Sequence, residues 1–309
     1  MSTELITGKP TTREKVEHKV KVRKPMGRKR QKTISDIITY ILLALGAAIV
    51  LVPFFWMIRT SLTLESQLFD YPPKFIPSPL VFQNYVEAWN ALPVSFTRFT
   101  MNTLFVTILA MSAEIFTCSL VAYGFARFRF PGRNVLFMLM LSTMMLPGVV
   151  TLVPSFILWR ELKLIDTYDP MTIGAWFAWG PSYVFLLRQF FMSLPKEIEE
   201  AALLDGANTI QIYAKIMLPL VKPALLAIAV LSFIGNWNNF MGPLIYLNSG
   251  EKYPIIMALK FFEQSLSKEA PKFHYMMAMA HMMSIPLLAL YFAMQRNFIE
   301  GITAGAVKG

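Results

Sequence analysis

The chain has 309 residues, of which 55% are apolar and 16% charged, and its mean hydropathy is +0.48. Average soluble domains carry roughly 25% charged residues, so this balance excludes a disordered chain, a nucleic-acid-binding arm on a soluble body and most cytosolic enzymes. The net charge of +10 gains meaning only once it is placed along the chain.

In chain order, six stretches lack Lys and Arg and are long enough, or nearly so, to cross a bilayer: 37–58, 103–126, 135–159, 171–187, 224–247 and 275–295. The first would reach about 33 Å as a helix, against about 30 Å of hydrocarbon. Its apolar run is too long for a removable signal peptide, and no small-x-small site follows it, so it reads as a retained anchor. Residues 1–34 ahead of it are polar and lysine-rich and read as a disordered cytoplasmic tail.

Basic residues alternate from link to link. Eleven lie before the first stretch, three in 127–134, four in 188–223 and two after residue 295, which makes 20 of the 29. The alternate links hold the other nine. Lys and Arg collect on the cytoplasmic side of membrane proteins, so both termini and the 188–223 link are expected inside. The surplus suits contact with anionic lipid. The basic run 19–32 contains no aromatic residue, which argues against nucleic acid.

The stretches carry irregularities. Pro147, Pro154, Pro181 and Pro286 lie within them, and each reads either as a static kink or as a break beside a transport path. Glu114 is a carboxylate within the second stretch, where it needs a partner, water or a proton. It reads either as a polar path or proton-relay group, or as a buried hydrogen bond to a neighbouring helix or subunit. Asn236, Asn238 and Asn239 flank Trp237 at the end of the fifth apolar run. Amides beside an aromatic ring suit a hydroxyl-rich solute, while Trp near an interface and the following Gly-Pro equally suit helix termination.

Catalytic signatures are missing: there is no phosphate-binding loop, no H-E-x-x-H and no G-x-S-x-G. The single cysteine, Cys118, sits within an apolar stretch and reads as a small core filler. No cofactor or metal site is expected in this chain, and it does not read as an enzyme.

The 193–223 link, SLPKEIEEAALLDGANTIQIYAKIMLPLVKP, is the most informative segment. Pro195 suits a first helical turn, and Glu197, Glu199 and Glu200 suit the positive helix start. Ile198, Ala201 and Ala202 are expected on one face. Asp205-Gly206 breaks the helix, Asn208 and Gln211 have the spacing of a capping box, and Pro219 is expected to end the second helix. Such a helix–turn–helix suits either docking into a groove of another protein or an amphipathic connector on the membrane.

The run EEAALLDGA with Pro219 resembles the EAA signature of binding-protein-dependent ABC importer permeases. AYGFARFRFPGR, MMLPGVVTLVP, NWNNFMGPLIY and the terminal GITAGAVKG are similar to its carbohydrate branch, most of all to the smaller permease of the maltose type. The resemblance covers roughly residue 35 to the end. It implies an all-α membrane protein of six transmembrane helices with the type I fold and both termini cytoplasmic. Residues 35–300 would be the permease domain, 193–223 its cytoplasmic coupling loop and 248–274 an extracytoplasmic loop. Glu200, Ala201, Ala202, Asp205, Gly206, Ala207 and Pro219 would dock a cytoplasmic ATPase. The 301–309 tail, with Gly305, Lys308 and Gly309, would reach toward the ATPases. Partners would be a second homologous permease, two ATPases that bind ATP and Mg, and an extracytoplasmic solute-binding protein. The location would be the bacterial cytoplasmic (inner) membrane, and the cargo a sugar or oligosaccharide. A non-sugar solute such as a glycerol phosphate ester, or an ion-coupled secondary transporter using Glu114, are the alternatives.

Overall fold

A computed structural model of the chain describes residues 28–265 and 272–306, and among them it is helical, with no strand. The helices are α1 (Arg28–Ser61), α2 (Gln83–Asn90), α3 (Phe96–Arg127), α4 (Arg133–Ser142), α5 (Gly148–Glu161), α6 (Asp169–Thr172) and α7 (Pro181–Ser193). They continue as α8 (Glu197–Leu204), α9 (Thr209–Gln211), α10 (Leu218–Leu220), α11 (Lys222–Trp237), α12 (Met241–Tyr246), α13 (Ile255–Ser265) and α14 (Phe273–Ala306). The chain divides into two compact units, residues 1–53 and 54–309.

The first unit contains most of α1. Residues Arg28 to Ile34, expected in the disordered tail, are instead the first turns of this helix. Lys, Arg and Gln are good helix formers, and the apolar run behind them extends the nucleus they join. Residues 1–27 of that tail lie outside the described residues. From Ile37 onward the apolar side chains of this unit are exposed, as a helix facing a hydrocarbon solvent requires.

Three helical stretches are long and apolar enough to cross a membrane: Lys32–Ser61, Phe96–Arg127 and Phe273–Gln295. Two bent pairs raise the number to five at most, so the six simple spans expected are not found as six helices among the described residues. The physical reasons are local. The third stretch bends by 99° between Met145 and Gly148, because Pro147 forces Leu146 out of the helical region to ψ 119°. The fourth is not one helix. It runs as α6, a 3₁₀ segment Ile173–Phe177, a left-handed Ala178 at φ 55°, and then α7. Pro181 biases Gly180 away from the helical region, and Gly180 tolerates the unusual φ/ψ that results. At 13 residues α7 is about 20 Å long, short of the hydrocarbon core. The fifth stops at Trp237 and resumes at Met241. Pro154 and Pro286, by contrast, lie inside continuous helices.

Within residues 54–309, α3 is the axle, packed against α7, α11, α13 and the 3₁₀ segment. Ala110, Ala113, Cys118, Ser119 and Ala122 are buried along it, and small residues let helix backbones approach closely where lipid offers no hydrophobic drive. One core surrounds the far end of α3, with Tyr123, Leu187, Phe191, Met217 and Ile228. There the buried Ser119 and Tyr213 hydroxyls bond at 2.7 Å. A second core holds Phe96, Phe99, Trp237, Phe262 and Met279. In it, Trp237 Nε1 donates to the Met283 carbonyl at 3.2 Å and its ring stacks on Phe233 at 5.4 Å. Helix α2 docks on α14, where the Tyr85 hydroxyl meets His281 Nδ1 at 2.8 Å.

Trp237→Ala is expected to destabilise the detergent-solubilised protein by about 3–5 kcal/mol. Trp237→Phe, which keeps a ring but loses the hydrogen bond to the Met283 carbonyl, should cost less, about 0.5–1.5 kcal/mol for that bond. Thermal unfolding of the three proteins side by side checks this order.

Candidate functional site

The first candidate region is the 193–223 loop. Helix α7 ends at Ser193, and α8 begins four residues later with Glu197, Glu199 and Glu200 in its first turn. Arg127, in the last turn of α3, holds this entry in two ways. Its Nη2 donates to the Leu194 carbonyl at 3.0 Å, and its Nε lies 3.3 Å from Glu199 Oε1. The pair is largely enclosed, at 6% and 17% side-chain exposure. Glu199 is therefore committed inside the chain, whereas Glu200 beside it is exposed.

Helix α8 ends as its sequence demands. Gly206 has φ +81°, its N–H donates to the Leu203 carbonyl, and Ala207 N–H reaches the Ala202 carbonyl, both at 3.0 Å. This pairing defines a Schellman ending, which favours glycine at the left-handed position. An added Cβ on Gly206 would meet nothing within 4 Å, so backbone conformation rather than space is the requirement. The capping box is present: Asn208 Oδ1 accepts from Gln211 N–H, and Gln211 Oε1 accepts from Asn208 N–H, each at 2.9 Å.

Two local expectations change. Ala202 is buried and Ile198 partly buried, but Ala201 is exposed beside Glu200 and Asp205, so the small pair splits between two faces. Pro219 does not end the second helix. A π-helical stretch Ile212–Met217 leads into α10, which contains Pro219, and the 77° bend into α11 falls at Val221. The lost proline N–H and the Pro223 that follows account for that placement. Leu203 and Leu204, one turn from Glu200 on α8, stand 57% and 90% exposed, and Ile210 of α9 is 76% exposed, so apolar side chains accompany an acid on this loop. Gly305 lies within α14, while Lys308 and Gly309 lie outside the described residues.

The second region lies at mid-length on α3. The Ser232 hydroxyl of α11 donates to Glu114 Oε2. Asn236, one turn along α11, donates to the Ser232 carbonyl at 3.0 Å and to its hydroxyl at 3.3 Å. Of the two readings of Glu114, a hydrogen bond to a neighbouring helix is present, and the carboxylate is only half-buried. The three asparagines do not converge. Asn238 folds back on the Ile234 carbonyl, and Asn239 Oδ1 accepts the Gly242 N–H at the start of α12. Asn236 and Asn239 do line a common cavity of about 10 Å³ with Thr103 and Met171, room for about one water.

A third cluster ties two connecting segments together. Asp166, at φ 63°, accepts through Oδ1 from the Asn248 and Ser249 N–H groups at 2.9 and 2.8 Å. Its Oδ2 accepts from Ser249 Oγ at 2.5 Å and Lys252 Nζ at 2.9 Å. Partial desolvation opposes ionisation of Asp166, but the hydrogen bonds from Ser249, Asn248 and Lys252 outweigh it and hold the carboxyl well below the usual aspartate range. Next to this clasp, Asn102 of α3 donates to the Glu251 and Tyr253 carbonyls at 2.7 and 3.0 Å. Sequence reasoning missed Arg127, Ser232 and Asp166 as site residues. Only Ser232 left a signal, its spacing of four from Asn236 on one face of α11.

Residues 115–303, which include the loop and most of the polar cluster, match the profile of the binding-protein-dependent transport system inner membrane component family. The chain belongs to this family. It is a permease, a multi-pass and non-catalytic subunit of the inner membrane that works with ATPase and solute-binding partners. Among the described residues, no group of three or more His, Cys, Asp or Glu side chains could hold a metal ion. The permease is 34% identical over 235 residues to the arabinooligosaccharides transport system permease protein AraQ of Halalkalibacterium halodurans, covering 76% of this chain and 82% of that one. It is 32% identical over 271 residues to the sn-glycerol-3-phosphate transport system permease protein UgpE of Yersinia pestis, covering 86% and 95%. A chain of the crystal structure of a bacterial ABC transporter involved in the import of the acidic polysaccharide alginate superposes with a TM-score of 0.75 at 28% identity, covering 87% of this chain and 98% of that one.

The Asp166 clasp carries a pH signature. A depressed folded pKa contributes stability that is full above the ordinary value of 3.8 and is lost as pH falls through the folded value. The protection factors of the Asn248 and Ser249 amides, measured against the free-peptide exchange rate at each pH, should therefore hold at neutral pH and decline only as the pH falls from 3.8 toward the lower folded value. Asp166→Asn should be open across the range.

Proposed function

We propose that this permease is one of two halves of the membrane path of an ATP-driven carbohydrate importer, and that its 193–223 loop is where a cytoplasmic ATPase couples to it. The observation that carries the reading is the division of labour between neighbouring glutamates. Glu199 is spent on Arg127 inside the chain, while Glu200 stands exposed with Ala201, Asp205, Leu203 and Leu204 around it. Apolar side chains beside an acid suit a groove that offers a cation at its floor. Ala201, Ala202 and Ala207 keep the helix pair slim, Gly206 turns it, and Pro219 lies where the loop rejoins the membrane.

In this reading the path is crossed six times: by α1, α3, the bent α4–α5 pair, the broken 169–193 segment, the α9–α12 segment and α14. The surplus of Lys and Arg on alternate links supports both termini being cytoplasmic, with residues 1–34 as a basic tail and 248–274 facing the solute-binding protein. ATP and Mg belong to two ATPase subunits. Gly305, Lys308 and Gly309 lie at the end that would approach them. The names of the arabinooligosaccharide and alginate systems support a carbohydrate cargo. The glycerol 3-phosphate relative keeps a phosphate ester as a second reading.

The test is copurification of the tagged chain from its native host. Wild type should bring a second permease and an ATPase. Glu200→Ala should lose the ATPase by at least tenfold while keeping the second permease, and Glu199→Gln should instead lower the thermal stability of the whole complex. A wild-type chain that emerges alone and supports uptake in liposomes without ATP would overturn the reading.

A further inference from the structure

Glu114 lies near the middle of a helix that is long and apolar enough to span the bilayer. Ser232, which donates to it, is fully buried, whereas Glu114 and Asn236 are half-buried, so one edge of the cluster is open. The ion pairs among the described residues lie elsewhere, and no Lys or Arg occurs in the apolar stretches. A carboxylate that receives, among the described residues, the Ser232 hydroxyl and no cation is expensive against hydrocarbon and belongs on water.

The backbone around it points the same way. One turn along α3, the Thr117 hydroxyl donates to the Ala175 carbonyl at 2.8 Å, and Cys118 Sγ lies 3.8 Å from the Gly180 carbonyl. These carbonyls belong to the segment broken at Ala178. On the other side, α11 ends one residue after Asn236. Irregular backbone at membrane depth persists only where it is buried in protein or lines an aqueous cavity. Two breaks therefore flank an open polar cluster, and the half-buried Tyr183 stands three residues after Gly180, in the first turn of α7.

We propose that Glu114, Ser232 and Asn236 form a hydroxyl-accepting, anion-rejecting station on the solute path, so that the cargo is a neutral polyhydroxylated solute. This rests on the importer reading above and narrows its cargo. A carboxylate accepts from sugar hydroxyls and an amide both donates and accepts. An acidic polysaccharide or a phosphate ester would meet a like charge there with no cation to offset it.

The test uses the assembled importer in nanodiscs, with Cys118→Ala as background and Asn236→Cys as reporter. Cationic trimethylammonium-ethyl and anionic sulfonatoethyl methanethiosulfonates label the thiol, and mass spectrometry of this chain gives each rate relative to the same reagent with free cysteine. The cation should be favoured roughly tenfold over the anion, and Glu114→Gln should bring the ratio near one. Tyr183→Cys is a second reporter should Asn236→Cys fail to assemble. Absence of labelling at both positions would overturn the station, as would a ratio that Glu114→Gln leaves unchanged. In either case an ATPase that still copurifies with wild type leaves the importer reading standing, and its absence would remove that reading instead.

Discussion

The grip of Arg127 on the start of the 193–223 loop is the contact on which the rest of the molecule's logic depends. A guanidinium at the end of the central helix, enclosed to 6% side-chain exposure, reaches both a backbone carbonyl and a carboxylate of the next segment. Enclosed charges of this kind are stabilising only as a set, and removing one partner is expected to cost about 3–5 kcal/mol. The consequence is mechanical. The loop is fixed to α3, and α3 carries Glu114 at its middle and Asn102 near its other end. A push on the loop is thus a push on the axle of the bundle.

That axle is built for close approach rather than for bulk. In a bilayer, burying apolar side chains against one another gains little over burying them in lipid, so packing and interhelical polar contacts hold helices together. The small residues of α3 and the Ser119–Tyr213 bond meet that requirement. The exposed apolar faces of α1, α4 and α5 are the surface such a subunit turns to lipid or to a second permease.

What the sequence revealed divides by range. Gly206 and the Asn208–Gln211 box were legible because a helix ending and a helix start are decided within five residues. The polarity of the 193–223 loop was legible for the same reason. The helix breaks were half-legible: the prolines stood in plain view, but Pro147 and Pro181 coincide with breaks while Pro154 and Pro286 sit in continuous helix. Nothing in the local sequence pattern separates the two pairs. Counting apolar residues therefore yielded six simple spans where the described residues hold three continuous ones and two bent pairs. The partners of Glu114, Arg127 and Asp166 lie 118, 72 and more than 80 residues away, and a single sequence offers no means of pairing them.

The Asp166 carboxylate has its four acceptor positions filled by two amides, a hydroxyl and an ammonium, all from residues 248–252. Those donors share one acceptor group and sit within five residues of one another, so a single carboxylate fixes the position of the whole 248–252 turn relative to the 160–170 link.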